Sequence, residues 1–356
     1  MKIIQAHRRV LLLIMVLHFV FMGSSVAADV EGLLTEINRK PPKERRKILI
    51  DGAKKERVVY YYGSTSMGDM QDLFKGFNQQ YPFIEIRYSR LGAPALVSKI
   101  SSEYQGGAYN ADVVSVRGTL FPELISKQIV SKYKSPLTQF LRKGFADSEG
   151  YLVGFYATGY TLIYNTTKVK SNEVPRSYED LLDARWKNRL VMDREEYDWL
   201  AGIIDLMGEK KGVAFFKRLV DDQKVAFNRG HTLMTQLLAA GEYDLMVDGY
   251  VPNAVQFKNA RAPIDFVLTN PTLVKPPQSI GVTSKAPHPY AAALLIDYHL
   301  SKEAQDDLAQ KRGHWTTRKD VKWSVEPSGE LHVIPPLEWG RKYNSLAELF
   351  RKIAGQ

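Results

Sequence analysis

Apolar positions along this chain switch between two periods, and the switching defines its elements. Val58-Val59-Tyr60-Tyr61-Tyr62 is β-branched and aromatic, as a buried strand requires, and Gly63 follows as a turn signal. Met70, Leu73, Phe74 and Phe77 then recur at helical spacing. Ser66 with Asp69 three residues on matches a capping-box variant, so a strand, a tight turn and a helix starting near Ser66 form one unit. The unit repeats: Ile84, Ile86 and Tyr88 alternate, Pro94 to Tyr104 reads as a helix, and Asp112 to Val116 as a third strand. A second series places strands at Arg189 to Asp193, Tyr243 to Asp248 and Ile264 to Leu268, with helices at Gly212 to Val220 and Thr232 to Ala240. Strands alternating with helices predict parallel sheets covered on both faces.

Two stretches break the alternation. Tyr151 to Asn165 is mostly apolar and aromatic but too long for one strand, which predicts two strands joined where the chain leaves one lobe for another. Thr269-Asn270-Pro271 through Lys275-Pro276-Pro277 is dense in proline and sits where a return crossing is needed, before a strand at Ser279 to Thr283 and a helix at Tyr290 to Leu300. The expected fold is α/β with two hinge-connected lobes, each holding a mostly parallel sheet. Lobe 1 is discontinuous over 29–156 and 270–320, lobe 2 covers 157–269, and 321–356 forms an appendage closed by a helix from Leu346 to Ile353.

Residues 1–28 carry a basic head with Lys2, Arg8 and Arg9, an apolar core from Val10 to Met22, and small residues up to Ala27 and Ala28. This is the three-part export pattern, with a core shorter than the roughly 20 residues of a membrane span. Cleavage after Ala27 or Ala28 and a periplasmic location are expected. With 44% apolar and 25% charged residues the chain is an ordinary globular protein. It has no cysteine, which removes disulfides, thiolate metal sites, a cysteine nucleophile and a lipoprotein anchor. The net charge of +10 is scattered in short runs beside acids, such as Lys43 to Lys47, so no nucleic-acid partner is expected.

The pattern resembles the periplasmic solute-binding proteins of ABC importers, type II fold, in the ferric-iron-like branch. The resemblance rests on Val58 to Ser66 opening the first helix, Ala111-Asp112-Val113-Val114, Gly154 to Tyr160 followed by Tyr164-Asn165-Thr166, Tyr178 to Asp183, Trp186 to Val191, Gly281-Val282, and Ala286-Pro287-His288-Pro289 before Ala291 to Leu300. It implies a monomer of two lobes that closes on a solute and docks on a membrane permease, with no catalytic residue, cofactor or resident metal. Ferric-binding members usually carry a histidine in the first strand-to-helix turn, a carboxylate at the third strand's end and adjacent tyrosines in the second lobe. The matching places here hold Thr65, Arg117 and the single Tyr250.

Open α/β sheets bind ligands beyond the carboxyl ends of their strands. Ser64, Thr65 and Ser66 lie there after the first strand, and their hydroxyls and N–H groups favour an anion, although Ser66 also serves as a helix cap. Arg117 ends the third strand, with Gly118 next, and suits bidentate binding of a carboxylate or phosphonate. In lobe 2, Asp193 to Trp199 offers Arg194 for a second anionic group, Glu196 and Asp198 as acceptors or caps, and Tyr197 and Trp199 as stacking rings. Tyr156 and Thr158 at the crossing and Tyr250 complete the wall. A guanidinium repels a bare ferric ion, so the expected cargo is a small organic anion, with ferric iron or a ferric chelate as the alternative. A secreted serine hydrolase using Ser66 is the reading from another class; the glycines of Gly63-Ser64-Thr65-Ser66-Met67-Gly68 miss the G-x-S-x-G spacing by one position.

Overall fold

The computed structural model describes residues 29–356, Gly313 and Ser328 excepted, so the leader and its cleavage point lie outside the described residues. Its strands are β1 (Val58–Gly63), β2 (Glu85–Arg90), β3 (Val113–Arg117), β4 (Val153–Ala157), β5 (Tyr160–Asn165), β6 (Leu190–Asp193), β7 (Ala226–Asn228), β8 (Leu245–Tyr250), β9 (Ile264–Val267), β10 (Thr272–Val274), β11 (Gln278–Val282), β12 (Trp315–Thr316) and β13 (Leu331–Val333). Six of them form one sheet in the order β12-β4-β11-β3-β1-β2, and five form a second in the order β7-β6-β8-β5-β9. Val113, Val114 and Val116 of β3 and Leu245, Met246 and Val247 of β8 are fully buried, as runs covered on both faces must be.

Parallel pairing holds where strands alternate with helices, between β1 and β2, β1 and β3, β6 and β7, and β6 and β8. It does not hold for the strands that carry the chain between lobes: β11 is antiparallel to β3 and β4, and β5 to β8 and β9. Each sheet is therefore mixed rather than mostly parallel. The cause is the crossing itself, because a strand that re-enters a sheet without a helical return runs against its neighbour.

The first crossing is short: β4 ends at Ala157 and β5 begins at Tyr160. Gly159 between them has no room for a side chain, since the Trp315 ring lies 2.3 Å from where its Cβ would stand. The return runs from β10 through Lys275-Pro276-Pro277 into β11, and the Lys275 N–H donates to the Thr158 carbonyl at 2.9 Å, tying the two crossings together.

The C-terminal segment touches both lobes. Its helix Pro336–Arg341 lies against Gly118 to Ser126, where Pro336 fills the space a Gly118 Cβ would need and the Thr119 carbonyl comes within 2.3 Å of a Gly340 Cβ. The next helix, Tyr343–Ala354, packs on the second-lobe helices Tyr197–Met207 and Glu209–Asp221. There Phe350 is fully buried, its ring 4.8 Å from that of Phe216. Among the described residues no helix is long and apolar enough to cross a membrane.

Candidate functional site

The carboxyl ends of the two sheets face each other, and the strands deliver polar side chains to the gap. At the end of β1 the Ser64 hydroxyl accepts from the Gln278 amide at 3.2 Å, and the same amide reaches Ser115 Oγ at 3.0 Å. Thr65 is buried; its hydroxyl is 3.3 Å from the Tyr156 phenol, and its carbonyl accepts from Tyr88 at 2.7 Å. Ser66 is exposed at the start of the helix Met67–Gln80.

Opposite, the turn after β6 places Glu196, Tyr197 and Asp198 at the start of the helix Tyr197–Met207. Arg117, at the end of β3, crosses the gap: its guanidinium donates to Asp198 Oδ2 at 3.2 Å and to the Tyr343 hydroxyl at 3.4 Å. Burial alone would lower the Arg117 pKa, but the charge of Asp198, with Tyr343 and Glu196 behind it, outweighs that and raises it. The other carboxylate oxygen, Asp198 Oδ1, is buried without a hydrogen-bond partner.

Glu196 is the centre of the second-lobe cluster. Its Oε1 accepts from Tyr160 and from the Lys275 ammonium, each at 2.7 Å, and its Oε2 accepts from Tyr250. The Tyr250 oxygen in turn accepts from Lys275 at 2.5 Å, and the His231 ring is stacked on Tyr250 with centroids 3.7 Å apart. Burial would push the Glu196 carboxyl up; the charges of Lys275 and His231 and the hydrogen bonds from Lys275 and Tyr250 outweigh it and hold the group at about 2. Asp198 goes the other way, because burial outweighs Lys275 and Arg117 and raises its pKa. Burial and the Glu196 charge raise both phenols, Tyr160 and Tyr250, so each stays a donor toward Glu196 at neutral pH. For His231, burial lowers the pKa, but Asp248 and then Glu196 prevail and raise it.

Not every candidate from the sequence reaches this gap. Trp199 is turned into the second-lobe core with no exposed surface, edge-on to Tyr178 and near Phe215 and Phe216, so helical phase removes it as a stacking ring. Arg194 is exposed and contributes a backbone bond to the Asn228 carbonyl at 2.9 Å. Gly118 is buried beneath Pro336, and Tyr197 packs edge-on against Tyr343 and Phe350. Thr158 lies at the crossing as the acceptor for Lys275, while Ser64, Thr65, Tyr156, Arg117, Glu196, Asp198 and Tyr250 line the facing edges. Sequence reading missed Lys275, Tyr160, His231 and Tyr343. Lys275 had one usable signal, a cation fixed by the following prolines in the return crossing.

Two lobes joined by short crossings, with polar groups converging between them, are the architecture of a two-lobed solute-binding protein. The chain belongs to the bacterial extracellular solute-binding protein family, whose model matches residues 72–330. Its fold is the two-lobed type II arrangement. A curated relative is "Iron uptake protein A1" of Synechocystis sp., 25% identical over 176 residues; the match covers 46% of this chain and about half, 49%, of that protein. Among solved structures, the Trichodesmium protein IdiA (FutA), in complex with iron and citrate ligands, has a TM-score of 0.74 at 19% identity, covering 84% of this chain and 100% of that one. The periplasmic binding protein AfuA of Actinobacillus pleuropneumoniae, with exogenous fructose-6-phosphate bound, has a TM-score of 0.66 at 20% identity, covering 83% of this chain and 98% of that one.

Proposed function

We propose that this chain is a periplasmic, monomeric receptor that delivers ferric iron, accompanied by a small carboxylate-bearing anion, to its permease. The observation that carries the reading is the convergence of Glu196, Tyr160 and Tyr250 at one sheet edge with Arg117 facing them. Carboxylate and phenolate oxygens are the hard donors a trivalent ion prefers, and the guanidinium fits a carboxylate carried by the cargo. The iron-related names of the Synechocystis and Trichodesmium relatives support the same choice. No reaction is part of this reading, and Ser66 is assigned no chemistry.

A second reading, a metal-free carboxylate or phosphate, draws on the presence of two cations, Arg117 and Lys275, in one gap. Titration of the mature chain with ferric citrate and with citrate or a sugar phosphate alone separates the two. The ferric reading expects a visible tyrosinate-to-iron band and a rise in Tm with ferric citrate only. A Tm rise with the metal-free anions and no band refutes it.

A further inference from the structure

Lys275 stands on the return crossing, its backbone tied to Thr158 and followed by Pro276 and Pro277, whose rings restrict the chain. From there its ammonium bonds Glu196 Oε1 at 2.7 Å and the Tyr250 oxygen at 2.5 Å, and lies 3.9 Å from Asp198 Oδ2. The rings of Tyr250 and Tyr160 flank it, with centroids at 4.8 and 5.9 Å. These oxygens belong to the second lobe, whereas the ammonium comes from the hinge. Beside it, Asp198 is 2% exposed, and its Oδ1 is buried without a hydrogen-bond partner.

A hard cation sits about 2 Å from its oxygen ligands. One bound to Glu196 and Tyr250 would overlap the ammonium that now bridges them, so the two occupants exclude each other. We propose that Lys275 sets the specificity of the cleft: its ammonium holds the place of the cargo cation between Glu196 and Tyr250, and only a strongly bound cation displaces it. This inference rests on the ferric reading of the site. Displacement breaks the ammonium's bonds to Glu196 and Tyr250 whichever cation arrives, so the cost is common to all of them. A trivalent ion recovers it from the carboxylate and phenolate charges; divalent ions, with less Coulomb energy per contact, fall below useful affinity.

The test compares the native mature chain with Lys275→Met and Lys275→Arg, each supplied with ferric nitrilotriacetate and, separately, with Mn²⁺. Circular dichroism and Tm establish that each variant is folded, and Lys275→Arg keeps the charge should Lys275→Met fold poorly. The expected result is a gain in ferric affinity of about 10- to 100-fold in Lys275→Met, the equivalent of one charge-assisted hydrogen bond. Mn²⁺ binding becomes measurable in that variant, and Lys275→Arg remains at or below the native affinity. Ferric affinity that is unchanged or weaker in Lys275→Met, with a tyrosinate band in the native chain, overturns the inference and leaves the cargo reading standing. Iron bound by Lys275→Met but not by the native chain upholds the lysine's role and removes iron as native cargo. A chain and variants that all fail to bind iron overturn both. If Lys275→Met does not fold, Lys275→Arg binding iron tighter than the native chain overturns the inference, and equal or weaker binding supports it.

Discussion

Replacing Tyr250 by Phe deletes one oxygen and leaves the ring in its stack on His231. That oxygen donates to Glu196 Oε2 and accepts from Lys275 at 2.5 Å. Lys275 and Glu196 remain bonded to each other at 2.7 Å, so the net loss is close to one hydrogen bond to a charged group rather than two. Such a bond contributes about 1.5–3 kcal/mol. In a chain of this size that lowers Tm by a few degrees, at roughly 2 °C per kcal/mol. On the ferric reading the same oxygen is one of the phenolates offered to iron, so Tyr250→Phe is also expected to weaken ferric affinity by about 10- to 100-fold and dim the visible band. The assay pairs calorimetric melting of the metal-free chain with ferric titration against nitrilotriacetate. An unchanged Tm together with unchanged affinity and band intensity refutes the reasoning, because it leaves the phenol outside both the cluster and the cargo site.

Arg117→Ala removes the guanidinium that crosses from β3 to Asp198 and that the proposed reading sets against the cargo's carboxylate; affinity for ferric citrate is expected to fall by about 1.5–3 kcal/mol in calorimetric titration, and equal affinity removes Arg117 from the site. Glu196 is held at about 2, below its usual 4.5, so the stability it contributes is complete above about pH 4.5 and is lost as pH falls from there through about 2. The stability gap between the native chain and Glu196→Gln in urea melts should therefore shrink between pH 5 and pH 3, and a gap that stays constant contradicts the ionised assignment. Gly340→Ala drives a methyl into the Thr119 carbonyl and Pro122, lowering stability by about 1–3 kcal/mol; a variant that melts with the native chain shows that the C-terminal helix is not held at that contact.

Periodicity located most elements to within a residue or two, because buried strands and amphipathic helices write their burial directly into the sequence. The helix expected over Tyr290 to Leu300 is Pro289–His299, and the long apolar stretch from Tyr151 divides into β4 and β5 in different sheets. Strand direction was not legible: β11 is buried along its whole length, like its parallel neighbours, and pairs antiparallel with β3. The residues at strand ends were found by topology, which is how Arg117, Glu196, Asp198 and Tyr250 came forward. Trp199 shows the limit of that approach. It stands one residue after Asp198, and the 100° turn of the helix sends its ring into the core. Lys275 and His231 come from segments distant in sequence from Glu196, and nothing local records that they meet it.

The helix Pro336–Arg341 is shared by the two halves, with Pro336 and Gly340 against Gly118, Thr119 and Pro122 and the Trp339 ring N–H donating to Asp205 at 3.0 Å, while Tyr343–Ala354 packs beside Phe216. Opening therefore has to flex the two crossings and free one side of the Pro336–Arg341 helix. On the proposed closure, a jaw bridged by that helix beside its two crossings loses the freedom to twist and keeps a single swing, giving the shut form a reproducible outline. A label fused after Gln356 would ride on the half bearing Glu196, and its distance from a probe near the first strand would report the swing directly.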